Sequence, residues 1–133
     1  MTPPVLQALV LADQIYVDRE TGKKVIAGTF NALISAKFPS QFERKTWAYI
    51  CLTEVSGETD IVLRYVDLDD NSVLLESPPM QVKAASPLHS VEVITEIPPF
   101  PMPKPGTYAF EVYSGDDMLG SLRVTVNAMP EKG

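Results

Sequence analysis

The sequence predicts an all-β chain, an immunoglobulin-like antiparallel β-sandwich of eight or nine strands, on three observations. Apolar and polar residues alternate with a period of two through most of the chain, and β-branched and aromatic residues fill the alternating segments. Turn-forming clusters recur about every dozen residues, the rhythm of an all-β domain rather than of βαβ units. No segment keeps a helical period for more than about two turns. A closed β-barrel satisfies the same pattern and is the alternative. The 133 residues, 45% of them apolar, read as one domain over residues 1–133. A chain of that size buries about two thirds of its unfolded surface without staples.

Each element follows from local pattern. "VLQALVLA" (Val5–Ala12) and "DQIYVD" (Asp13–Asp18) form an opening strand or a broken pair. "RETG" (Arg19–Gly22) is a turn in which Gly22 is free to take positive φ. "KKVIAGTFNALIS" (Lys23–Ser35) is expected as one strand, with Gly28 marking a bulge or a close backbone approach. "AKFPSQFER" (Ala36–Arg44) connects, and Phe38 and Phe42 are expected to cap one end of the core. "KTWAYICLTEV" (Lys45–Val55) is apolar on both faces near its middle, as a central strand is. "DIVLRYVD" (Asp60–Asp67) and "SVLLES" (Ser72–Ser77) form a hairpin around "LDDN". After Pro78 and Pro79, "MQVKA" (Met80–Ala84) is a short edge strand and "SPLHSVEVITEI" (Ser86–Ile97) a full one. "TYAFEVYS" and "MLGSLRVTV" close the chain as a hairpin around Gly115–Asp117. The tail "NAMPEKG" (Asn127–Gly133) is expected to fray.

The segment between the last two long strands holds Pro98, Pro99, Pro101, Pro103 and Pro105. A proline-rich docking ligand repeats with three residues per turn and usually carries a basic flank. Here the later prolines fall on every second residue, around Phe100 and Met102, and Lys104 is the only charge. An inter-sheet crossing explains this spacing: proline has no N–H to leave unsatisfied away from a ladder. Phe100 and Met102 then point together into the open end of the sandwich. "PGTYAFEVY" places Tyr108 where an immunoglobulin-type sandwich has its tyrosine corner, with Phe110 inward two residues later. Trp47 resembles the core tryptophan of that fold's strand C, although the cysteine pair is absent.

Composition narrows function. The net charge is −6 and no Lys/Arg cluster offsets it, which disfavours nucleic-acid partners. Cys51 is the single cysteine, so no internal disulfide forms, as suits a reducing compartment. The run Val5–Ala12 is too short for a membrane span and lacks signal-peptide flanks, so a cytoplasmic setting with no membrane partner is expected.

No constellation of residues announces catalysis, and no catalytic residue, cofactor or metal ligand is assigned. "DLDDNS" sets Asp67, Asp69 and Asn71 on alternate positions as in a Ca²⁺ loop. Ser72 stands where that loop needs Gly, however, and Pro78 where it needs a closing Glu. A polar turn uses the same residues. A second acidic turn, Asp116–Asp117, is expected at the opposite end of the molecule. His89 is the sole histidine, and zinc needs three or four ligands. Cys51, inside "YICL", reads as a buried packing thiol. No Gly-x-Ser-x-Gly elbow surrounds any serine. Glu92 and Glu96 lie on one strand face, as a solvated face does. Tyr16, Trp47, Tyr49, Tyr65 and Tyr113 offer an aromatic patch for a protein partner if any leaves the core. The edge strands offer strand addition, with Pro78, Pro79 and Lys83 as edge protection.

"LVLADQIYVDRETGKKVIAGTFNAL" and "EIPPFPMPKPGTYAFEVYSGDDMLGSLRVTV" resemble a family of small uncharacterised bacterial proteins. The resemblance implies an all-β cytoplasmic domain of unknown function and brings no active site. The expectation is a non-enzymatic binding or interaction module with a protein partner, either another protein or a second copy. A Ca²⁺- or small-ligand-binding sandwich using the Asp67–Asn71 turn is the alternative.

Overall fold

The computed structural model describes residues 2–130. They form β1 (Val5–Val17), β2 (Lys24–Thr29), β3 (Ala32–Ser35), β4 (Ser40–Phe42), β5 (Thr46–Thr53) and β6 (Glu58–Asp67), followed by β7 (Ser72–Glu76), β8 (Met80–Lys83), β9 (Val91–Ile97), β10 (Phe100–Met102), β11 (Gly106–Ser114) and β12 (Asp117–Ala128). One sheet has the order β2-β1-β5-β9. The other runs β3-β12-β11-β6-β7, and β8 continues along the same side of β6. Both sheets are open, so the architecture is the sandwich and not the barrel. All pairings are antiparallel except β3 with β12.

Alternation sets the inner faces. In β5, Thr46, Ala48, Ile50 and Leu52 are buried while the residues between them are only half-buried. Each fully buried Leu or Ile contributes about 1.5–3 kcal/mol relative to exposure. β5 is central, flanked by β1 and β9. Two expectations fail on this same alternation. Trp47 and Cys51 fall on the outer face, so Trp47 is not the core tryptophan and Cys51 is not a packing thiol of the core centre. The facing sheet supplies Ile61, Leu63 and Tyr65 from β6, Tyr108, Phe110 and Val112 from β11, and Val124 and Val126 from β12.

β1 serves two partners in succession. Ala12 is the last residue registered with β5, opposite Trp47, and the first registered with β2, opposite Thr29. Beyond it, β1 and β2 form a hairpin arm. Lys24 stands opposite Val17 in this arm, while Glu92 of β9 registers through Cys51 with Ala8. In a flat sheet those positions would lie roughly 30 Å apart along β1, at about 3.3 Å per residue. Lys24 Nζ is nevertheless 3.0 Å from Glu92 Oε1. The arm therefore folds back over the outer face of the sheet. Gly28 permits the bend: its φ is +75°, and a Cβ there would stand 2.5 Å from Asp13 Oδ2. The close approach expected at Gly28 is present.

The proline segment is architecture. Phe100 is 0% and Met102 4% exposed, and β10 pairs with β4 as a two-stranded ribbon across the end of the sandwich. Pro101 is tolerated there because a two-stranded ribbon leaves one side of each strand without ladder bonds. Phe100 packs 5.0 Å from Phe42, 4.8 Å from Tyr65 and 5.4 Å from Phe110, centroid to centroid. The tyrosine corner is also present. Tyr108 Oη donates to the Lys104 carbonyl at 2.6 Å and accepts from the Lys104 N–H at 3.3 Å. One hydroxyl thus satisfies both main-chain groups of Lys104.

The described residues hold twelve strands where eight or nine were expected, the strand expected over Ser86–Ile97 begins only at Val91, and three further elements differ. "KKVIAGTFNALIS" is two strands, because the chain crosses between sheets at Phe30 and Asn31. The connections around Phe42 and Phe100 contain the short pair β4–β10. The tail is paired as far as Met129, whose N–H bonds Ser35 O at 2.8 Å, instead of fraying from Asn127. Its last three residues lie outside the described ones.

Candidate docking site at the open flank

β6 is ten residues long, and its outer edge is covered in two pieces. β7 pairs with Arg64–Asp67 and β8 with Glu58–Ile61. Ser77, Pro78 and Pro79 separate them. A proline cannot donate to a ladder and holds the preceding residue extended. Ser77 bridges the break: its N–H bonds Leu63 O at 2.9 Å, and its hydroxyl accepts the Leu63 N–H at 2.9 Å. The side chain does here what a carbonyl does in a regular ladder.

Opposite this break runs β9, the last strand of the other sheet. One side of β9 pairs with β5, and among the described residues no strand pairs with its other side. Its inward residues Val93 and Thr95 are only half-buried, because the sandwich is open here. Between the two edges lies a cavity of about 230 Å³. Leu63, Leu75, Met80, Ile97 and Phe110 give it apolar walls, and Pro78, Pro79 and Pro98 rim it. It is smaller than the roughly 300–1,000 Å³ that holds a drug-sized ligand, and suits one apolar side chain.

Polar groups at the cavity are few. Tyr65 lines it, is 1% exposed, and has a buried hydroxyl without a hydrogen-bond partner among the described residues. Burial raises the Tyr65 phenol well above the ordinary tyrosine range, keeping it neutral. Two carboxylates flank the opening. Glu76 is bound by Arg64 Nε at 2.7 Å. Glu96 is exposed and has no ion-pair partner among the described residues. Further along β9, Glu92 accepts from the Tyr49 hydroxyl and pairs with Lys24. The Tyr49 hydrogen bond, then Lys24, holds its carboxyl below the ordinary value of 4.5.

The residues singled out in the sequence are scattered. Asp67 accepts the Asp69 N–H, Asp70 accepts from Ser72, and Asp69 Oδ2 is 2.7 Å from Lys104 Nζ. Each carboxylate has a local task in the turn, and Asn71 takes φ +58°. No group of three or more His, Cys, Asp or Glu side chains converges among the described residues. The two acidic turns lie at opposite ends of β11, since Asp67 registers with Tyr108 and Asp117 with Ser114. His89 is exposed in the loop before β9. Cys51 Sγ donates to Gln7 Oε1 at 3.6 Å. Of the five aromatics, Tyr65 is core and Tyr113 lies under Arg64 at 4.1 Å, whereas Trp47 and Tyr49 share the outer face of β5 and Tyr16 of the arm lies beside Trp47, so three of the five come together and two do not.

Ser77, Met80, Thr95, Glu96 and Ile97 were not singled out together by sequence. "SPPM" was legible as an edge break, but the cavity behind it depends on β9 arriving from another sheet.

No curated protein matches the chain. Among solved structures, it is similar to an immunoglobulin-like protein from Pseudomonas aeruginosa, at 17% identity and a TM-score of 0.47, over 94% of this chain and 97% of that one. Residues 7–127 match DUF6941, a family of unknown function. The match spans nearly the whole sandwich, and the chain belongs to the DUF6941 family.

Proposed function

We propose that this chain is a non-catalytic binding module of the cell interior that docks a protein partner at the flank between β9 and the β7–β8 edge. The observation that carries the reading is the cavity at the Ser77–Pro79 break, open beside an unpaired strand edge. Main-chain edges and side-chain-sized apolar pockets are the two features that strand-adding recognition combines. The free thiol of Cys51 supports an intracellular setting.

Site-specific photo-crosslinking in the native cell tests the proposal. A benzophenone side chain placed at Glu96, at the mouth of the flank, is expected to yield a discrete adduct with a second polypeptide. The same group at Arg123, exposed on β12 of the other sheet, is expected to yield none. Equal adducts at both positions, or none at Glu96, would contradict the proposal.

A further inference from the structure

The flank has a chemistry that selects its occupant, and this inference rests on the docking reading above. Consider first a second copy of this chain. Antiparallel self-pairing of β9 about Ile94 sets Glu96 opposite the second copy's Glu92, and Glu92 opposite the second copy's Glu96. Like charges directly opposite one another destabilise a strand pair. Each Glu92 is engaged by its own Lys24 and Tyr49, which softens the clash, but Glu96 has no ion-pair partner among the described residues to relieve it. In that register the edge carries a charge pattern that opposes its own duplication, a recognised protection of exposed strands.

The same pattern favours a different strand. On the outer face of β9 stand Glu92, Ile94 and Glu96; on its inner face stand Val91, Val93, Thr95 and Ile97. A strand laid beside it presents residues to both faces in alternation. Its outer residue opposite Glu96, which lacks an ion-pair partner among the described residues, is best cationic, and a cation opposite Glu92 adds a smaller term because Lys24 already balances that carboxylate. Its inner residues opposite Val93 and Thr95 are best apolar, and the one near Thr95 reaches the cavity beside Ile97 and Met80. The pattern is symmetric about Ile94, so it reads alike in either chain direction.

We propose that β9 accepts, as an added strand, an extended segment of a different protein with the order cation–apolar–any–apolar–cation, one apolar side chain seated in the cavity between Ile97 and the Ser77–Pro79 break.

The probe is a synthetic peptide, Ser-Lys-Leu-Thr-Leu-Lys-Ser, titrated into the isotopically labelled full chain and followed by amide chemical shifts. Two control peptides isolate the terms. Exchange of both Lys for Glu reverses charge, and exchange of the central Thr for Pro removes an N–H while keeping charge and leucines. The basic peptide is expected to shift Val91–Ile97 and Ser77–Met80 and to bind at least tenfold more tightly than either control. The exposed substitution Glu96→Lys, which leaves the core untouched, is expected to weaken the basic peptide and strengthen the acidic one.

Equal binding of all three peptides, shifts confined to other strands, or an unchanged preference in Glu96→Lys would overturn this inference. So would concentration-dependent dimerisation through β9. An adduct at position 96 in the cell without any preference for the basic peptide would refute the occupant's chemistry while leaving the flank as a docking site. Loss of both removes the docking reading itself.

Discussion

Two buried tyrosines show how the same side chain takes opposite energetic signs. Tyr108 Oη satisfies both main-chain groups of Lys104, whereas Tyr65 Oη has no partner among the described residues. A buried hydrogen bond contributes about 0.5–1.5 kcal/mol, and a main-chain group stripped of its partner costs about 1–3. Tyr108→Phe is therefore expected to destabilise by about 1–2 kcal/mol, by urea unfolding. Tyr65→Phe removes an unsatisfied group and keeps the ring contacts, so it is expected to be neutral or stabilising. Equal destabilisation by both would contradict this assignment. Gly28 offers a second single-residue test. Its φ of +75° is strained for any L side chain, and an added Cβ meets the Asp13 carboxylate. Gly28→Ala is expected to cost about 1–3 kcal/mol. Adding Asp13→Ala should recover the steric part only, leaving the backbone part.

At the level of the element, the arm is held by charge and therefore responds to acid. Glu92 has its carboxyl pKa lowered from 4.5 by the Tyr49 hydroxyl and Lys24. A depressed carboxylate contributes its stability fully above the unfolded value and loses it as pH falls through the folded value. Protection of the amides of residues 14–27, taken relative to their intrinsic exchange rate at each pH, is thus expected to fall below pH 4.5, ahead of that in β5 and β11. In Lys24→Gln the arm should already exchange quickly at neutral pH, with a smaller acid response. An arm equally protected at both pH values would show that packing alone holds it. Elements also mark what could be read beforehand. Long alternating runs such as Thr46–Thr53 and Gly106–Ser114 carry their own period and were legible. The three-residue strands β4 and β10 are too short to show one, and proline in the second hides it further. The crossing at Phe30–Asn31 was missed because both sides of it are β-forming. Trp47 and Cys51 were misplaced because β5 is apolar on both faces, so only the covering arm and the facing sheet distinguish them.

For the whole molecule, the ring of contacts around Phe100 ties the β4–β10 ribbon to β6 and β11. Phe100→Ala removes a fully buried ring that four elements share, and is expected to cost about 3–5 kcal/mol. Against a typical total of about 5–15 kcal/mol, this change should shift the urea midpoint of the entire domain. A loss confined to the ribbon, with β5 and β11 unaffected, would mean that the ribbon is an appendage. Layering and the proline crossing were readable from sequence because both follow from local pattern. The docking flank was not, since it exists only where the last strand of one sheet faces a broken edge of the other.

The docking site requires that β9 be a free edge in the isolated chain, and native-state amide exchange of Val91–Ile97 tests this directly. Every second amide of β9, bonded to β5, is expected to be protected, and the intervening amides are expected to exchange at rates close to those of an unstructured chain. Along β5, which has neighbours on both sides, protection should be continuous. Continuous protection along β9 in the isolated protein would mean that its outer edge is already covered, and would contradict the docking site.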